Sequence, residues 1–152
     1  MALAYLLLGT NLGDRTANLD RAGGLLEGYF GPRIGFSRTE ETKAVGFEGP
    51  DFLNRVEVYR TRRKPMGVLS VCKAIERKMG RREILEYRPD GSRVYHSRII
   101  DIDILEYRPS ESAAESLTID SPALMIPHPQ VRERAFVRPL LDETIKQTIK
   151  TQ

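Results

Sequence analysis

The segment Ile99-Ile100-Asp101-Ile102-Asp103-Ile104-Leu105 alternates apolar and acidic residues with a period of two, which constrains the fold more than any other feature of the chain. Successive side chains on a β-strand point to opposite faces. Ile100, Ile102 and Ile104 should therefore face a core, while Asp101 and Asp103 stand on the other face, about 6–7 Å apart along the strand. Asp is depleted in strands, and two like charges on one face repel unless a partner sits between them. Paired carboxylates at this spacing suit hard cations, so one or two Mg²⁺ ions could be held against a polyphosphate, each keeping several waters. The plain alternative is an amphipathic strand with a solvated acidic face.

The flanks favour the metal reading. Arg98 lies three residues before the first Asp, with Arg88 and Arg93 upstream, and Ile126-Pro127-His128-Pro129 is followed by Arg132, Arg134 and Phe136. A triphosphate needs cations aimed at its oxygens, and guanidinium supplies a fixed fork of donors. Of the 24 basic residues 18 are Arg, which gains meaning only because Arg81, Arg98 and Arg134 lie near the other candidates in sequence.

A chain of 152 residues with 40% hydrophobic and 30% charged residues fits a single globular domain spanning 1–152. A net charge of +3, with no long basic block, does not call for nucleic acid, and an anionic small molecule is an adequate partner. The apolar run Ala2–Leu8 lacks a basic region before it and stops at Gly9-Thr10-Asn11, so it reads as neither signal peptide nor membrane span. A cytoplasmic monomer is expected. Cys72 is the only cysteine, which excludes an internal disulfide, and it falls in line with Val68, Val71, Ile75 and Met79 at helical spacing as a buried thiol.

Ala2–Leu8 reads as a buried strand, followed by a helix that Asp14 caps, that Leu19, Ala22, Leu25 and Leu26 stripe, and that Gly28 and Gly31-Pro32 end. Ile34–Thr42 and Phe52–Arg60 read as strands on either side of a Val45–Pro50 loop. A helix from Pro65 to Met79 stops at Gly80, and the Asp101–Asp103 strand closes the pattern. The order β-α-β-β-α-β is the ferredoxin-like core of an α+β domain, with a mainly antiparallel sheet and helices on one face. From about residue 107 an extension follows, with a short Leu117–Ile119 strand, the Pro127-His128 turn and a helix near Leu140–Ile149. Arg82–Ser97 is polar, with a turn signal at Pro89-Asp90-Gly91, and reads as a lid.

With these residues laid out, the chain resembles the 6-hydroxymethyl-7,8-dihydropterin pyrophosphokinases of folate synthesis. The pieces that carry the resemblance are Leu8-Gly9-Thr10-Asn11-Leu12-Gly13-Asp14, Thr42 with Val45-Gly46, Pro50-Asp51-Phe52-Leu53-Asn54, Ile75-Glu76 with Gly80-Arg81, Arg98 with Asp101-Ile102-Asp103, and Ile126-Pro127-His128-Pro129 with Arg134 and Phe136. It implies transfer of diphosphate from ATP to a pterin alcohol, with release of AMP. It further implies two Mg²⁺ on Asp101 and Asp103, ATP phosphates against Arg98, His128 and Arg134, and Glu76, Arg81 and Ile104 on the nucleotide side. Thr42, Val45, Phe52, Asn54 and Phe136 would surround the pterin, and Arg98, Asp101 and Asp103 would carry catalysis. The chain departs from the family in Thr42-Lys43-Ala44, where members often carry Thr-Pro-Pro, in Tyr95 near a common tryptophan position, and in Glu83 at a usual Arg, for which Arg82, Arg88 or Arg93 could substitute.

Two other functions fit a ferredoxin-like core. A palm-type Mg²⁺-dependent nucleotidyl transferase would use the same acid pair, but the chain's size and mild charge argue against a nucleic-acid channel. A non-catalytic ligand-binding module would have no use for Asp101 and Asp103, and absence of Mg²⁺-dependent ATP binding would favour it.

Overall fold

All nine residues of the central strand β1 (Ala2–Thr10) are buried, because both faces of the sheet are covered, and a strand buried on both sides reads as a continuous apolar run rather than an alternation. The structure, a computed structural model, describes residues 1–81, 86–94 and 96–150. After β1 come α1 (Arg15–Phe30), β2 (Gly35–Phe36), β3 (Glu40–Thr42), β4 (Phe52–Thr61), α2 (Pro65–Lys78), β5 (Asp101–Arg108), β6 (Ile119–Asp120), β7 (Met125–Ile126), α3 (Gln130–Glu133) and α4 (Val137–Lys150). The main sheet runs β2-β4-β1-β5, with β3 also on β4, and every pairing is antiparallel. That is the expected ferredoxin-like split unit. Among the described residues no helix is long and apolar enough to cross a membrane.

The two faces carry two separate cores. Ala4, Leu6 and Leu8 of β1, Ile102 and Ile104 of β5, and the stripes of α1 and α2 fill one. Leu3, Tyr5 and Leu7, with Val56, Val58 and Leu105, pack against Val137, Leu140 and Leu141 of α4 on the other. The two core helices share one face as expected, but the extension was not expected to supply a second core. The extension returns as α4 to cover the second face, where Tyr5 Oη and Thr148 Oγ1 lie 2.9 Å apart. On α2, Val68, Val71 and Ile75 are buried. Each withdraws roughly 1.5–3 kcal/mol of apolar surface, which outweighs the few tenths of a kcal/mol that β-branching costs a helix. Cys72 lies in the same stripe, and burial pushes its thiol up, leaving it inert.

Asp14 caps α1 as anticipated, accepting from Ala17 N at 3.1 Å, but Gly28 lies inside the helix and Gly31, with φ of 91°, ends it. The expected Ile34–Thr42 strand is two strands. Phe36 pairs with Glu57 and Glu40 with Asn54, so three residues face two across the gap. Ser37 Oγ, which accepts from Val56 N at 2.9 Å, supports this bulge. The outer edge of β2 is closed by Gln147, whose amide exchanges bonds of 2.9 and 2.8 Å with the Phe36 N–H and C=O. The short strand expected at Leu117–Ile119 falls on Ile119–Asp120 and pairs with β7, and the last helix starts at Val137 rather than Leu140.

Candidate active site

The register of the three central strands brings the site together. Gly9 of β1 pairs with Asn54 on one side and Asp101 on the other, so these three lie in one row across the sheet. The neighbouring row is Val56, Leu7 and Asp103. Alternation places Asp101 and Asp103 on the α4 face, opposite Ile102 and Ile104, as β-strand periodicity requires.

The two carboxylates live in different surroundings. Asp101 is paired with Arg81 Nη1 at 2.7 Å and Arg98 Nη1 at 3.2 Å. Asp103 accepts from Gln130 Nε2 at 2.8 Å. Burial, reinforced by the nearby Asp101 charge, raises Asp103 to about 7. Arg81 also pairs with Glu76 at 2.6 Å. Glu76 is buried, its carboxyl pushed up first by that burial, and its Oε2 accepts from Ile102 N at 2.8 Å. Glu76 therefore grips the backbone between the two aspartates. A cleft of about 200 Å³ opens beside it, lined by Lys73, Glu76, Arg77 and Arg81.

A register shift in the β1–β5 pairing leaves Leu105 without a partner on β1, and its carbonyl accepts from His128 N at 2.9 Å. The bulge is what docks the Ile126–Pro129 turn, with its cis Ile126-Pro127 bond, onto the acidic strand. Burial lowers His128, with Asp101 and Glu133 opposing. Its Nδ1 accepts from Gln130 N at 3.1 Å, which leaves Nε2 as the donor of the neutral ring. The Arg134 guanidinium lies 4.6 Å from the Phe136 ring centre. Burial lowers the Arg134 pKa, and Asp103 and Asp101 oppose it.

On the other flank, Asn54 donates to Glu40 O at 3.0 Å and Thr42 Oγ1 at 2.9 Å. Both amide hydrogens are thus spent, and Oδ1 turns toward Gly9, where a Cβ would meet it at 3.3 Å and Phe52 Cδ1 at 3.7 Å. Phe52 meets Phe47 edge to face at 6.4 Å. Val45 is exposed in the adjoining loop.

Most of the expected residues converge, but Ile104 does not. It packs in the core on the face away from the carboxylates. Phe136 packs partly into the α4-side core. Of the residues weighed as substitutes, Arg88 donates to Gly46 O at 3.2 Å, in a turn around Pro89-Asp90-Gly91 where Tyr87 bridges to Arg93. Arg82, Glu83 and Tyr95 lie outside the described residues. Sequence reasoning assigned no role to Gln130 or Asn11. The Asn11 side chain accepts from Arg98 N at 2.7 Å and donates to Pro50 O at 3.1 Å, so it ties the loop before β4 to the segment carrying Arg98. A buried polar residue directly after an apolar strand was the available signal.

Could the acid pair hold a metal? Among the described residues no group of three or more His, Cys, Asp or Glu forms a metal cage. Two hard carboxylates without a third suit an ion such as Mg²⁺, which keeps waters and takes its other oxygens from a phosphate. Burial first, and then the Asp101 charge, raise Asp103, and a cation between the two carboxylates would relieve the second of these.

A ferredoxin-like α+β domain carries an acid pair and a recessed amide in adjacent rows of one sheet face, with the guanidinium groups of Arg81 and Arg98 on Asp101, and these groups suit a polyanion beside a flat, hydrogen-bonding ligand. Residues 5–145 match the family described as 7,8-dihydro-6-hydroxymethylpterin-pyrophosphokinase, and the chain belongs to that family. A 2-amino-4-hydroxy-6-hydroxymethyldihydropteridine pyrophosphokinase of Porphyromonas gingivalis is 43% identical over 144 residues, covering 93% of this chain and 90% of the relative. One from Bacillus subtilis is 31% identical over 150 residues, covering 97% and 81%. Among solved structures, an HPPK-DHPS crystallised in complex with substrates superposes with a TM-score of 0.63 at 15% identity, a likeness of fold alone. This chain spans 99% of its own length there but 43% of the larger chain.

Proposed function

We propose that this protein transfers diphosphate from ATP to 6-hydroxymethyl-7,8-dihydropterin and releases AMP. The observation that carries the reading is the family match over residues 5–145, and the site geometry supplies the chemistry. The pterin hydroxymethyl oxygen attacks the β-phosphorus in line, a reaction that depends on positioning and charge stabilisation rather than covalent help.

The residues divide by what surrounds them. The recessed Asn54 Oδ1 accepts from the amide edge of the pterin ring, Phe52 and Phe136 offer π faces, and Thr42 and Val45 border the ring. Arg98, Arg134 and the Nε2–H of His128 hold the phosphates. Glu76 and Arg81 serve the nucleotide side through the cleft with Lys73 and Arg77. Arg81 and Arg98 keep Asp101 neutralised until the polyphosphate arrives. Asp101 and Asp103 would hold two Mg²⁺, which when bound neutralise phosphate charge and align nucleophile with leaving group. The chain acts as a cytoplasmic monomer on two small, water-soluble substrates.

Incubating the protein with MgATP and the reduced pterin alcohol, then resolving nucleotides, tests the reaction. AMP formation that requires both substrates is expected. ADP formation, or no pterin-dependent reaction, would overturn the reading.

A further inference from the structure

Resting on the site just assigned, we propose that Gln130 is a positioning residue that sets the metal-binding carboxylate of Asp103 and the phosphate-binding guanidinium of Arg134 against each other through its single side-chain amide. Its Nε2 donates to Asp103 Oδ2 at 2.8 Å, and its Oε1 accepts from Arg134 Nη1 at 3.1 Å. Only one orientation of the amide works. Reversed, it would face oxygen to the carboxylate and NH₂ to the guanidinium, two repulsive contacts for two attractive ones. The main chain of the same residue orders two more groups: Gln130 N donates to His128 Nδ1 at 3.1 Å, and Gln130 O accepts from Arg134 N at 3.0 Å.

A glutamine at the start of a one-turn helix is ordinarily a solvated surface residue. This one instead reaches across 27 positions of sequence to the Asp103 carboxylate on β5. Without the donor, that carboxylate would be left without this hydrogen bond and free to rotate toward Arg134, which would collapse the gap a phosphate has to enter. Partners of metal-binding carboxylates orient them in this way, and their loss costs about 10- to 100-fold in metal affinity or activity.

Gln130→Met keeps the side-chain length and removes both bonds. Calorimetry with Mg²⁺ and the non-hydrolysable analogue α,β-methylene-ATP should show the half-saturating Mg²⁺ concentration rising by about 10-fold or more. Turnover should fall by a similar factor, while the KM for the pterin stays within about twofold and the melting temperature of the free protein within a few degrees. A purely structural role would lower stability and active fraction, and leave the Mg²⁺ midpoint and per-molecule turnover alone. That result would overturn the proposal. If Gln130→Met fails to fold, Gln130→Glu keeps the length and the acceptor for Arg134 but loses the donor, and turnover equal to wild type in that variant would overturn the proposal just as firmly. Wild-type protein that binds the analogue but forms no AMP would sink the reaction assignment, while the Gln130 titration would still decide the positioning role.

Discussion

Replacing Asp103 with Asn should stabilise the protein while abolishing its turnover, and the gain should depend on pH. In the folded chain the Asp103 carboxyl is raised from 3.8 to about 7, first by burial and then by the charge of Asp101, with Gln130 working the other way. Glu76 adds to the upward push and Arg81 opposes it. A folded value above the unfolded one means that folding takes up a proton between those limits, so stability falls as pH rises from 3.8 toward 7 and stays low above that window. Three pKa units set a ceiling of about 4 kcal/mol on the penalty, and allowing for desolvation of the Asn amide leaves about 2 kcal/mol to be recovered at pH 8. For a chain of this size that corresponds to roughly 4–8 °C in melting temperature. Urea unfolding of the metal-free protein at pH 8 and pH 4 measures it directly. At pH 4, where the folded carboxyl is already protonated, the charge penalty is gone and only the Asn desolvation cost remains, so the variant should be no more stable than wild type. Asp101→Asn should behave differently despite the chemical identity of the change, because Asp101 holds both Arg81 and Arg98, and removing its charge leaves two guanidinium groups facing each other. An Asp103→Asn variant no more stable than wild type at pH 8, or a gain that persists unchanged at pH 4, would refute the reasoning.

Gly9→Ala should raise the KM for the pterin several-fold and leave ATP binding unchanged, since the new Cβ would press on Asn54 Oδ1 at 3.3 Å; equal effects on both substrates in steady-state kinetics would remove Gly9 from the pterin side. Gly35→Ala should cost about 1–2 kcal/mol in chemical unfolding, because a Cβ would lie 2.6 Å from Gln147 Oε1 and 3.1 Å from Val58 Cγ1; unchanged stability would mean the Gln147 edge contact adds little. Arg98→Ala and His128→Ala should each weaken transition-state stabilisation by about 2–4 kcal/mol with little change in calorimetric pterin affinity, and normal turnover in both would end the phosphate assignment. The amides of Arg88, Gly91 and Val94, which bond within the 86–94 turn, should exchange more slowly when an ATP analogue and pterin are both bound; equal protection in free and bound protein would dispose of the lid.

Patterns that depend on local period were legible in the sequence. The acidic strand, the buried run of β1 and the cap at Asp14 each follow from spacing within a few residues. Contacts set by packing between distant segments were not. Gln130 carries no distinctive chemistry as a residue type, and its importance appears only when the Leu105 bulge docks the His128 turn beside Asp103. The split between β2 and β3 rests on one serine hydroxyl standing in for a backbone acceptor. The second core was missed because α4 was read as an appendage, although Leu140 and Leu141 alone cannot reveal which face they will cover. Ile104 was placed with the nucleotide residues by resemblance, against the alternation that correctly sends its side chain into the core.

The row Asn54–Gly9–Asp101 makes the sheet a ruler. Asn54 and Asp101 lie two strand spacings apart, about 10 Å between backbones, and the hydrogen-bond ladders on either side of β1 fix that separation. Side chains can adjust by rotation, but this gauge can change only if a strand slips, and a slip of one residue would turn every core side chain outward. On the proposed assignment, the distance from a ring at Asn54 to a phosphate near Asp101 is therefore set by the backbone. Selectivity for the length of the arm between ring and hydroxyl should follow: a substrate lengthened by one methylene would place its oxygen past the point of attack, and no single side-chain substitution could move the two ends of the gauge to meet it.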